Sequence, residues 1–172
     1  MLASGIEIDV VDDHVGVVTG TSGDDEIQVI LGSESHLVLV GGYTIDFDAS
    51  KIDDVRIDGS GGNNSIEIIG TQADESGRVV DSHVELSGPD YGIQGVGFSS
   101  VELDGGAGHD SIQLYGSDQD DTLTGLPFDS TLALPDGVIQ ARGFERVDSF
   151  GRGGNDVASL FGTLVDDSFW TF

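Results

Sequence analysis

The residues of this chain best equipped for chemistry are carboxylates set in glycine turns. Four acidic doublets, Asp24-Asp25, Asp74-Glu75, Asp120-Asp121 and Asp166-Asp167, each begin four residues beyond a glycine: Gly20, Gly70, Gly116 and Gly162. A second kind of turn reads Gly105-Gly106-Ala107-Gly108-His109-Asp110-Ser111-Ile112-Gln113, with looser relatives that start at Gly20, Gly59 and Gly151. Glycine tolerates positive φ, so such a turn can aim carbonyls inward, and aspartate adds a hard carboxylate oxygen. Divalent-cation binding is the chemistry these residues suit. The doublets Asp24-Asp25 and Asp120-Asp121 are candidate ligands by the same logic, although an acidic turn left in solvent reads as well. Acids stacked on adjacent strands, about 4.8 Å apart, would repel unless an ion bridged them or the stacking skipped a coil.

Catalysis finds little support. His14, His36, His83 and His109 show no metal-ligand spacing, and no phosphate loop or serine elbow occurs. With 32 acids, any two carboxylates could be matched to a glycosidase pair, so the match carries no information. The six Lys and Arg offer little to neutralise a uronate for lyase chemistry. No enzyme is expected. The alternative is a carbohydrate-active or glycan-binding β-helix domain, which needs a groove lined by convergent carboxylates or tyrosines.

The elements that position these turns recur. Val55-Arg56-Ile57-Asp58, Val101-Glu102-Leu103-Asp104 and Val147-Asp148-Ser149-Phe150 start 46 residues apart, and Ile6 opens an earlier copy. An apolar pair follows in each copy (Val15 and Val17, Ile66 and Ile68, Ile112 and Leu114, Ala158 and Leu160), and Ile52, Phe98 and Phe144 stand three residues before the next opener. The units are 6–54, 55–100, 101–146 and a partial 147–172, within a single domain spanning 1–172. Short alternating segments broken by Gly, Asp, Asn and Ser predict strands and tight turns, with no helical period. Strands too short to bury themselves must stack on equivalents in a neighbouring coil. The predicted fold is all-β, a parallel β-solenoid of about 46-residue repeats, most simply with two coils per unit; a β-sandwich is the alternative. Phe169, Trp170 and Phe172 end the sequence on an apolar edge that reads as a cap, an oligomer contact or a cut through a longer array.

Residues 105–113 match the nonapeptide G-G-x-G-x-D-x-U-x in full, and in this the chain resembles the RTX (haemolysin-type) calcium-binding repeats. The resemblance implies calcium held by Gly105, Ala107 and Asp110, with Asp104 and Asp156 as further ligands of related turns. It departs from the family in that its nonapeptides are about 46 residues apart instead of contiguous, and Asn64 stands where Asp110 stands one unit later. More loosely, the long unit with its Gly-Thr/Ser-x-x-Asp-acid turn is similar to repeat arrays of large bacterial cell-surface proteins. Together these imply a secreted or cell-surface module with a structural or adhesive role.

A formal net charge of −26 repels nucleic acid and anionic membrane surfaces and favours cations. The absence of cysteine excludes a disulfide framework, and no apolar run approaches a membrane span. Expected partners are cell-surface or matrix components, or a second copy of the chain.

Overall fold

The computed structural model describes residues 5–162, and within them the chain is all strand, turn and loop. The first unit supplies β1 (Glu7–Val11), β2 (Val15–Thr19), β3 (Glu26–Ile30), β4 (Ser35–Val40) and β5 (Tyr43–Asp48). The second supplies β6 (Asp54–Asp58), β7 (Asn64–Ile69), β8 (Ser76–Val80), β9 (His83–Ser87) and β10 (Gly92–Val96). The third supplies β11 (Phe98–Asp104), β12 (Ser111–Tyr115), β13 (Thr122–Leu126), β14 (Asp129–Leu134) and β15 (Gly137–Arg142), and β16 (Arg146–Phe150) and β17 (Val157–Leu160) begin the fourth. The doublet Asp166-Asp167 and the aromatics Phe169, Trp170 and Phe172 lie outside the described residues.

The strands form two sheets, ordered β1-β2-β6-β10-β9-β8-β12-β16 and β17-β13-β14-β15-β11-β7-β3-β4-β5. Coils of a β-solenoid stack in parallel through pairs such as β2–β6, β3–β7, β7–β11 and β12–β16. Alternation decides which face is buried. Along β7, Asn64, Ile66 and Ile68 point inward while Ser65, Glu67 and Ile69 point out. Ile57, Leu86, Ile93 and Leu114 of one sheet join Ile27, Ile68, Leu103 and Ile139 of the other in one core. Each such side chain contributes about 2–3 kcal/mol by leaving water.

The 46-residue unit covers one and a half turns, not two. From β6 the chain crosses to the second sheet at β7, returns for β8, β9 and β10, and crosses again to β11. Because three crossings are an odd number, the openers 46 residues apart alternate between sheets: Val55 lies in the first, Val101 in the second and Val147 in the first, whereas the first unit crosses only twice and its β1 shares the first sheet with β6. Equivalent residues 46 apart are therefore not stacked neighbours. Ile66 instead pairs with Val101 on one side and Ile27 on the other.

The meanders interlock the coils. Strand β8 is laid down beside the future site of β12, and β9 then brings the chain back so that β10 fills the place next to β6. Strands β13, β14 and β15 do the same in the opposite sheet, where β15 lies beside β11. Each coil is thus bracketed by segments distant in sequence.

Candidate functional site at the stacked corners

Where the chain leaves one sheet for the other, a doublet turn of one coil lies on a glycine turn of a later coil, and this happens three times in one pattern. The second acid of each doublet first closes its own turn. Asp25 accepts from the Thr21 amide at 2.7 Å and the Thr21 hydroxyl at 3.1 Å. Glu75 does so with Thr71 at 3.3 and 2.5 Å, and Asp121 with Ser117 at 2.6 and 2.9 Å. Each hydroxyl in turn accepts the amide two residues on, from Gly23, Ala73 and Gln119.

Reciprocal bonds then join the coils. The first acid of each doublet accepts a later amide: Asp24 from Asn63 at 2.8 Å, Asp74 from His109 at 2.9 Å, and Asp120 from Asn155 at 2.7 Å. The amide of the second acid donates back: Asp25 to Asn64 at 2.9 Å, Glu75 to Asp110 at 2.7 Å, and Asp121 to Asp156 at 3.0 Å. Backbone bonds complete each corner, from Gly61 to Thr21, Ala107 to Thr71 and Gly153 to Ser117. Charge-assisted bonds of this kind are the stronger class. They also answer the expected repulsion between stacked doublets, because each doublet faces a row of amides instead of another doublet.

The predicted ligands are thereby placed. Asp24 and Asp120 are exposed and hold amides, whereas Asp25 and Asp121 turn into their own loops. The Asp104 carboxylate accepts the Gly106 amide at 2.9 Å within its own turn. The Gly105 amide donates to Arg142 and the Ala107 amide to Thr71, while Asp110 and Asp156 receive amides of the doublets. A calcium shell needs six to eight oxygens. The carboxylates among these residues accept protein amides, and among the described residues no three His, Cys, Asp or Glu side chains gather into a metal-holding group.

Four residues outside the predicted set complete the middle corner. Glu75 is buried there, the Tyr91 hydroxyl donates to its Oε1 at 2.5 Å, Glu145 Oε2 accepts the Asp110 amide at 2.6 Å, and the His36 ring lies 5.6 Å from that of Tyr91. Burial pushes the Asp110 carboxyl up to about 6, aided by contact with the Glu75 carboxyl and the charges of Glu75 and Glu145, against the lowering effect of the Glu75 amide. Burial likewise raises the Tyr91 phenol, with the Glu75 hydrogen bond adding to it, and burial lowers His36. The signal for Glu75 was in the sequence, as a Thr or Ser four residues before each second acid.

The outer face of the second sheet carries an open groove of about 540 Å³ lined by Glu26, Gln28, Tyr43, Glu67 and Glu102 among others. Gln28 donates to Glu67 at 2.6 Å, and Arg142 forms an ion pair with Glu102. Among the described residues no helix is long and apolar enough to cross a membrane. No family model, no curated protein and no solved structure matches this chain.

Proposed function

We propose that the chain is a non-enzymatic, extracellular structural or adhesive repeat module whose coils are clamped by hydrogen-bonded corners. The observation that supports this most directly is the corner repeated three times, in which the described acids of the doublets are engaged in holding one coil to another. The extracellular setting rests on the resemblance of residues 105–113 and of the long acidic unit. Its partners are cell-surface or matrix components, or further copies of the chain. Calcium in this reading is a counterion to the −26 charge and not a staple of the corners.

Thermal unfolding after exhaustive chelation, with calcium or magnesium added back, tests the clamping. Both ions are expected to raise Tm by a similar few degrees through screening. A large rise specific to calcium would place ions in the corners and overturn this part of the reading. The rival, a glycan-active or glycan-binding domain, is favoured by the groove beside Tyr43, Glu67 and Glu102. Turnover on a panel of glycans is expected to be absent, and any processive release of sugar would replace the structural reading.

A further inference from the structure

Each complete meander returns its last strand to the opener of its own unit: β10 lies parallel to β6, and β15 parallel to β11. The first and fourth units break this rule in complementary ways. In the first, β1 folds back antiparallel on β2 instead of lying beside β5, so β5 is a returning strand without an opener and ends its sheet. In the fourth, β16 is an opener that, among the described residues, has no returning strand, and it ends the other sheet. Exposure follows the missing neighbours. Counting across each hairpin from the residue two past the doublet (Ile27, Gly77 and Leu123) leads to Tyr43, Ile93 and Ile139 in turn. Ile93 and Ile139 are 1% and 2% exposed, but Tyr43 is 38% exposed, and Phe150 at the far end of β16 is 42% exposed.

We propose that copies of the chain join head to tail, with β16 of one lying parallel to β5 of the next in the register of β6 on β10; this rests on the reading that further copies are among its partners. In that register Val147 meets Tyr43, Asp148 meets Thr44, Ser149 meets Ile45 and Phe150 meets Asp46. No like charges face each other across the joint, and Arg146 already neutralises Asp148. The joined sheet reads β12-β16 from one copy and β5-β4-β3-β7 from the next, which repeats the order β2-β6-β10-β9-β8-β12 seen within the chain.

The facing sheet sets the cost. Within the chain one strand separates a doublet strand from the opener two units on: β7 stands between β3 and β11, and β12 between β8 and β16. At the joint that single place lies between β13 of one copy and β6 of the next, and β17, β1 and β2 compete for it. Strand β2 keeps it, because Val15, Gly16 and Val18 are buried. Strands β1 and β17 leave, and among the described strands these two alone have every residue exposed. β13 then pairs with β2 as β3 pairs with β7. Leaving breaks the corner bonds from Asp121 to Asp156 and from Asn155 to Asp120, so assembly is slow. The contact is heterologous and does not close, so assembly is also open-ended.

The chain has no cysteine, so a Thr44→Cys/Asp148→Cys variant reports the joint alone. Paired residues on neighbouring strands lie about 4.8 Å apart, within disulfide reach, whereas in one copy β5 and β16 end different sheets. Mild oxidation is expected to give a ladder of covalent oligomers that lengthens with protein concentration. An Asp46→Cys/Asp148→Cys variant, two residues out of register and about 8 Å apart, is expected to give little. No ladder, or equal ladders from both variants, would overturn the joint. Adding Asp156→Ala, which frees the Asp121 amide and loosens β17, is expected to speed the first ladder; a slower one would overturn the exchange of strands. Sedimentation velocity of the wild type needs no substitution, and species growing with concentration are expected. A monomer at every concentration would overturn the joint and leave surface or matrix components as partners, a reading that the chelation and glycan measurements test separately.

Discussion

Replacing Gly62 with alanine is expected to cost about 3–5 kcal/mol and to lower Tm by roughly 10 °C. Gly62 has φ of 90°, and a Cβ there would stand 2.5 Å from the carbonyl carbon and oxygen of Gly23 and 2.8 Å from the Asp24 amide nitrogen. Backbone cannot rotate aside as a side chain can, so the two coils must separate. Separation strains the bonds from Asn63 to Asp24 and from Asp25 to Asn64. The same close approach recurs at Gly108, 2.3 Å from the Ala73 carbonyl oxygen, and at Gly154, 2.4 Å from that of Gln119. Gly42 separates the two contributions, since its φ is 78° but nothing lies within 4 Å of its Cβ position. Gly42→Ala should therefore cost only about 1–2 kcal/mol, the strain of a left-handed backbone alone. Urea denaturation of both variants reads the comparison, and equal losses would mean that coil contact is not what fixes glycine at position 62.

Much of the fold was open to sequence reasoning because alternation and burial are local matters. Val55 and Ile57, Val101 and Leu103, and Ile112 and Leu114 alternate with polar residues, and all six are buried. The repeat was legible for the same reason, because each copy spaces its strands alike. What was not legible is the parity of the crossings. The hairpin between β8 and β9 turns on Asp81, at φ of 53°, and stays in one sheet, whereas the Gly70–Glu75 segment crosses between sheets. Both read as polar turns in one dimension. The distinguishing mark is a glycine, a Ser or Thr beside it and an acid four residues past the hydroxyl, whose meaning emerges only once Thr71 is seen bonded to Glu75.

The acidic turns illustrate a second limit. A carboxylate beside glycines suits a cation and suits a row of amides equally well, and the choice depends on which segment lies on the next coil. That segment is 35 residues on for Glu75, at Asp110, and 39 on for Asp25, at Asn64. Neither spacing equals the 46-residue period, so aligning the copies could not bring the partners together. The change from Asn64 to Asp110 was visible as a lost or gained charge. Its consequence, that a buried donor becomes a buried acceptor, required the neighbouring carbonyls of Gly59 and Gly97.

Asn64 is where that difference should be largest, because it ties three segments together. The side chain is 1% exposed, accepts the Asp25 amide and donates to the carbonyls of Gly59 and Gly97. Asn64→Ala abandons all three partners in a corner that water enters poorly, and unsatisfied buried groups cost about 1–3 kcal/mol each. A loss of about 3–5 kcal/mol is expected, measurable as a lower urea midpoint with an unchanged slope. Asn64→Asp is the more telling change, because it retains the acceptor for Asp25 and removes only the donor. At pH 8 it should lose nearly as much as the alanine variant, since a carboxylate then faces two carbonyl oxygens. At pH 5 a protonated carboxyl can donate to one of them, and part of the loss should return. The absence of a deficit at either pH value would show that volume and not donor chemistry sets the role of position 64, and the hydrogen-bonded corner would lose its main support.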